Sequence, residues 1–386
     1  MFPNKNKIVN TFLISNNYID NFYSIFSLLL MLITCLPPFR SLNSIGSSLK
    51  GYYYVNYFDL GFIKRGLIGS IYKILNLPDY FNPSILVLSS HIIFLILFSI
   101  IFWKYVKYSF YNFKLKDKVF FYTLFLLSPV LFIRLGYDIG RMDLICLVFS
   151  LLNIVIIQKD SLSFFKKGLF ISITITIQLL IHEASLLMYT PLVLSLYFYK
   201  YPKLKLFKSK KIILLFSLPL FVGLMLLIFG RYEMGSEELN LYLTNINEEL
   251  DTSMAMELIY SLKQNFDVGF SRLSLYNLFG GNYFIITYYV FILWLIFKFS
   301  KLPLYLKTTL FAPLILSFIA MDHTRFLALS AVCGNLIFII SAKEMKLVLK
   351  RNFRFPIYIF LIAMFFLGPW GIGTYDPLPL IKQYRL

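Results

Sequence analysis

Acidic residues are scarce in this chain of 386: 19 Asp and Glu stand against 37 Lys and Arg, and charged residues make up only 15% of the total. Soluble domains carry about 25%, so a water-soluble globule is excluded. A chain that is 59% hydrophobic reads as an all-α polytopic membrane protein. Cysteine and histidine number three each. Cys35, Cys146 and Cys333 all lie in apolar runs with no CxxC or Cys/His spacing, which reads them as packing residues and excludes a disulfide framework or zinc site. No HExxH, solenoid repeat, low-complexity tail or soluble domain is present, and neither a metal nor another cofactor is expected. The net charge of +18 would point to nucleic acid in a soluble protein, but here it has another cause.

That cause is loop placement. Spanning a bilayer takes about 20 apolar residues. Runs 22–38, 84–103, 212–229, 283–297 and 356–373 suit single spans. Runs 119–157, 168–199 and 308–341 are too long for one span and fit tight helical hairpins, giving about 11 spans in one domain over 1–386. Segments 1–21, 104–118, 158–167, 200–211, 298–307 and 342–355 hold 24 of the 37 Lys and Arg but only four acids. By the positive-inside rule these face the cytoplasm, with the N-terminus inside and the C-terminus outside. No small-residue cleavage site follows "LITCLPPF", so the first span is expected to stay uncleaved. The two long outer loops are 39–83 and 230–282, the second with eight acids against three bases.

Each hairpin is interrupted by ionisable residues at its outer tip. Such residues cost ~2.5–3.5 kcal/mol on insertion and mark candidate sites. The first tip holds Arg134, Asp138, Arg141 and Asp143, either a salt-bridge network closing the hairpin or an anion clamp with a carboxylate beside it. The second holds His182 and Glu183, which point about 100° apart on a helix and so form no two-ligand metal face. They read as a buried histidine satisfied by a neighbouring helix or as acid/base groups facing a cavity. The third holds Asp322, His323 and Arg325, a helix-end ion pair or part of the same cavity. His91 stands alone in span two and reads as packing. In the first outer loop Asp59 is the one acid of 39–78, followed by "GFIKRGLIGSIYKIL". That stretch predicts an amphipathic interface helix, with Lys64, Arg65 and Lys73 as a basic face toward phosphate head groups.

An uncleaved first span, an outer loop with an early acid and an interface helix, and a short acidic outer loop resemble the layout of GT-C glycosyltransferases. Those polytopic enzymes use polyprenyl-phosphate-linked sugars at the outer face. The late loop 230–282 also resembles that of bacterial O-antigen polymerases, which use undecaprenyl-diphosphate-linked repeats. The resemblance implies an inner-membrane enzyme of surface-polysaccharide synthesis, with other assembly proteins as partners. It also implies Asp59 as catalytic base, Asp138 or Asp143 as a second carboxylate, and Lys64, Arg65, Arg134, Arg141 and Arg325 as phosphate ligands. No DxD stands in the first loop and no WWDYG-like motif appears, which argues against oligosaccharyltransferases.

Two other functions fit the same pattern. A transporter or flippase of a lipid-linked sugar also needs intramembrane charge, although no inverted repeat is visible. A polysaccharide acyltransferase would use His182 as its base. The orientation has a direct check: a reporter enzyme active only outside the cytoplasm should be silent when fused after Lys205 and active when fused after Asn245. The opposite pattern overturns the assignment.

Overall fold

The computed structural model describes residues 5–35, 47–202, 210–250, 256–271, 283–319, 323–341, 354–355, 357–359 and 361–362. Every regular element among them is helical. Helix α1 (Lys5–Cys35) leads to the first outer loop, folded as α2 (Ser47–Gly51), α3 (Tyr57–Leu60), α4 (Gly66–Ile74) and α5 (Leu77–Tyr80). Helix α6 (Pro83–Ser109) precedes the first hairpin: α7 (Leu115–Leu126), α8 (Phe132–Tyr137) and α9 (Asp143–Gln158). The second hairpin is α10 (Phe164–Ile181), α11 (Ser185–Met188) and α12 (Thr190–Lys200). Helix α13 (Lys210–Phe229) enters the second outer loop, which contains α14 (Ser236–Ile246), α15 (Met256–Ile259) and α16 (Leu262–Ser271). After α17 (Tyr283–Phe299) comes the third hairpin, with α18 (Leu304–Phe318), a run of short α and 3-10 turns, and α19 (His323–Ser341).

The first two expected hairpins break where the ionisable residues fall, and the tip of the third lies partly outside the described residues. His182 ends α10 with extended backbone, φ −157° and ψ 111°, and Gly140 sits at φ 87°, a left-handed turn position that favours glycine. The arms, however, are short. Helix α7 has 12 residues and α12 has 11, roughly 17–18 Å at 1.5 Å per residue, against a hydrocarbon core of about 30 Å. Two helices, α6 and α10, are long and apolar enough to cross a membrane, and six further apolar stretches have 10–17 residues. The expected 11 spans are therefore not what these helices establish, because each tip uses residues that a full span would need.

Packing brings the hairpins together. Helix α9 lies between α6 and α10, α10 rests on α13, and α19 packs on α17 and α18. Phe338 of α19 meets the rings of Phe110, Phe121 and Phe125 with centroids 5.2–6.4 Å apart, so α6, α7 and α19 share an aromatic core. Across one end of this bundle the two outer loops form a joint layer. Lys64 N donates to Gly230 O at 2.8 Å and its Nζ to Tyr260 O at 3.2 Å. Glu249 accepts from Lys50 Nζ at 3.1 Å and from Asn82 Nδ2 at 3.0 Å. These bonds hold the Glu249 carboxyl below its ordinary value, with the Asn82 bond the largest cause.

The amphipathic helix expected after Asp59 forms as α4, but its basic face is not where expected. Lys64 and Arg65 are 9% and 6% exposed, directed into the protein instead of toward head groups. Ile71, Ile74 and Leu75 carry the exposed apolar surface. The helix lies close against the preceding backbone at Gly69, where a Cβ would stand 2.0 Å from Val55 O. Gly69→Ala should therefore cost roughly 1–3 kcal/mol by forcing α4 off that strand of backbone. Gly223→Ala, whose Cβ would meet its nearest neighbour at 3.8 Å, should be neutral or slightly stabilising. Thermal unfolding of the two variants in detergent separates them, and equal midpoints would remove the steric account of α4.

Candidate functional site

Charged residues are brought together from four places far apart in the chain. Arg325, near the start of α19, makes a two-pronged ion pair to both carboxylate oxygens of Asp143, the first residue of α9. Arg325 Nη2 also lies 3.0 Å from His182 Nε2. Glu183, the next residue, receives Arg65 Nε at 3.1 Å and Nη2 at 2.8 Å. The Arg65 guanidinium stands 4.7 Å over the Tyr52 ring, a cation–π contact. Asp143, Arg325, Glu183 and Arg65 thus alternate in sign around a central imidazole. Asp143 is 7% exposed and His182 5%, so the alternation is what makes the burial affordable.

Arg65 reaches Glu183 from a left-handed backbone, φ 65° and ψ 12°. A non-glycine residue there stores on the order of 1–3 kcal/mol and persists when its surroundings over-determine it. The bidentate bond to Glu183, the ring beneath it and the tethered Lys64 supply that constraint.

His182 is placed for proton transfer. Arg325 Nη2 at Nε2 can only donate, and so can the Ala184 amide, 3.3 Å from Nδ1. A neutral imidazole accepts at one nitrogen and carries a proton on the other, a state assigned from its partners. Both nitrogens also have a carboxylate oxygen 3.5 Å away, Glu183 at Nδ1 and Asp143 at Nε2. Either tautomer therefore has a proton acceptor beside it.

Next to this chain of charges lies a cavity with about 30 Å³ of free space, room for a water or two. Its charged lining is Arg134, Asp138, Arg141, Asp143 and Arg325, with His91 completing it. Arg134 Nε is 3.4 Å from Asp138 Oδ2, one helical turn on, while its buried Nη2 has no hydrogen-bond partner among the described residues. His91 Nε2 donates to Leu135 O at 2.8 Å. Sequence reasoning set His91 aside as packing; its i, i+4 relation to Leu95 carries no signal that it would face the first hairpin tip.

The other expected site residues fall elsewhere. Asp59 belongs to a separate cluster in the loop layer: it pairs with Lys73, accepts from Tyr242 Oη at 2.7 Å and from Asn56 Nδ2 at 2.9 Å, and lies in the first turn of short α3, which Asn56 caps. Partial burial tends to raise its carboxyl, but the bonds from Lys73, Tyr242 and Asn56 outweigh that and hold it at about 2. A carboxylate so well solvated by its neighbours is a weak base. Lys64 ties the two outer loops together. Asp322 lies outside the described residues, and Arg325 takes Asp143 as partner. His323 is buried, and among the described residues neither of its ring nitrogens has a hydrogen-bond partner.

Among the described residues no group of three or more His, Cys, Asp or Glu is placed to hold a metal ion. Compared with protein-family models, characterised proteins and solved structures, the chain matches none.

The buried ion pair has a measurable signature. Asp143→Leu or Arg325→Met alone leaves an unpaired buried charge and should cost about 3–5 kcal/mol. The double variant should recover much of that loss. Thermal midpoints of the four proteins in one detergent form the cycle, and additive losses would show that the two residues do not act as a pair.

Proposed function

We propose that this chain is a bacterial inner-membrane enzyme that transfers or polymerises undecaprenyl-linked glycan units at the outer face. The carrying observation is the cavity in which Arg134, Arg141 and Arg325 stand around Asp138 and Asp143. Three guanidiniums bordering this space suit the phosphate oxygens of a lipid-linked donor, which planar N–H forks grip in pairs; the space between them holds a water or two, so the donor enters as the hairpin tips move apart. The two helices able to cross a membrane and the polar layer over one end of the bundle support the membrane setting.

In this reading Asp138 is the base. Asp143 is committed to Arg325 and Asp59 to Lys73 and Tyr242, whereas Asp138 has the longer pair to Arg134. Asp138 removes the proton of the acceptor hydroxyl as that oxygen attacks the anomeric carbon. The bond from that carbon to the phosphate oxygen breaks, and the electron pair leaves with the phosphate, whose charge Arg134 and Arg141 take up. The donor configuration inverts. His182 holds Arg325 in place with Glu183 and Arg65 behind it, and the proton taken up by Asp138 passes to water.

A second reading, a proton-coupled transporter of a lipid-linked sugar, draws on His182 standing between two carboxylates. The two separate in cells. Deleting the gene should leave surface glycan as single repeats or truncated chains, whereas accumulation of inner-leaflet precursor would favour the transporter. Asp138→Asn and Arg134→Ala, if stably produced, should each lower polymer yield by roughly 10²-fold or more on a glycan ladder. Normal ladders from both would overturn the cavity as the site of chemistry.

A further inference from the structure

The opposite end of the bundle holds a larger cavity, of about 210 Å³. It is lined at the C-terminal ends of three helices, Tyr108 of α6, Gln158 of α9 and Lys200 of α12, with Ile340 of α19 beside them. That placement fixes its electrostatic preference. The last turn of a helix leaves carbonyl oxygens without intrahelical partners and carries a partial negative charge, so three such ends at one space favour a ligand that donates hydrogen bonds and carries positive charge.

The protein already meets this preference once with its own side chain. Lys167 is buried, and its ammonium donates to Ile157 O at 2.9 Å, a carbonyl in the last turn of α9 beside the cavity. Lys307 does the same at Ser300 O, at 2.7 Å, just past the end of α17. Gln158 gives its amide nitrogen to Tyr105 Oη at 2.7 Å, which leaves its amide oxygen as the group it can offer a ligand. At the mouth, exposed Lys200 and Asp160 form an ion pair at 2.9 Å. Leu196 and Leu302 add apolar wall.

A ligand matching all of this has an ammonium at one end, an anionic group where the Lys-rich chain segments meet the surface, and an apolar body. We propose that this cavity binds the headgroup of phosphatidylethanolamine, with its ammonium among the helix C-termini and Gln158 and its phosphate toward Lys200. The inference does not depend on what happens at the Arg134 cavity.

Full-length protein carrying Tyr108→Trp at the exposed rim provides the test, read by quenching with brominated phosphatidylethanolamine in mixed micelles. Saturable quenching is expected, reversed by unbrominated phosphatidylethanolamine and about tenfold less well by phosphatidylcholine or phosphatidylglycerol, the scale of one hydrogen bond to a charged group. Gln158→Leu and, independently, the surface change Lys200→Gln should each weaken binding by a similar factor, while Glu238→Gln in the loop layer leaves it unchanged. Equal competition by the three lipids, full reversal by free ethanolamine, or wild-type binding in both variants overturns the proposal.

Discussion

A charge removed from water must meet an opposite charge, and the Asp143–Arg325 pair is where the three hairpins satisfy that requirement together. Asp143 sits at the first residue of α9, where the partial positive charge of a helix N-terminus favours a carboxylate. Arg325 sits near the start of α19, where the same effect disfavours a guanidinium. The pair offsets the second with the first, so neither helix end is stable where it is without the other. His182 leans on both partners, and Glu183 beside it calls in a second cation from the loop layer. The outer loop is thus attached to the core through Arg65, whose unusual backbone would relax if Glu183 were neutral.

The two ends of the bundle differ in chemistry because the helices that frame them run in register. The Arg134 cavity borders the starts of α9 and α19, and the Lys200 cavity borders their ends. Helix starts offer N–H groups and helix ends offer C=O groups. The first end adds arginines, suited to anions; the second leaves acceptors that Lys167 and Lys307 partly fill. One pair of helices therefore presents opposite preferences at its two tips without any domain between them.

Much of this was legible in the sequence for definite reasons. Apolar runs of 32 to 39 residues exceed one span, so the ionisable tips of the first two hairpins had to mark breaks, and α8 and the His182 turn lie there. Partner choice was not legible. Asp143 and Arg325 are 182 residues apart, and local spacing offers Asp322 to Arg325 first. Lys64 and Arg65 read as a surface stripe because periodicity says which side chains share a helix face, not what later segment covers it. Asp59 stood out as an isolated acid, yet its chemistry is set by Tyr242, from a loop whose docking no local pattern encodes. Arm length failed for a related reason: α10 stops at His182 and α9 starts at Asp143, and the pairing of those residues is fixed by tertiary contacts.

The ion pairs bear on how the loop segments group at the two ends of the bundle. Among the described residues each one joins segments that the loop-charge reading assigns to one side. Asp20 meets Lys107 and Lys118, Asp117 meets Arg354, and Asp160 meets Lys200, all between segments assigned inside. Lys50–Glu249, Lys73–Asp59, Arg65–Glu183, Arg134–Asp138 and Asp143–Arg325 all lie between segments assigned outside. The loop-charge reading used only the count of Lys and Arg per segment and no distances, so it could not have produced this partition. A chain whose charges were merely scattered over a soluble surface would have no reason to keep the two sets apart. The segments assigned inside hold 24 Lys and Arg against four acids, so the +18 net charge falls in those segments of the sequence.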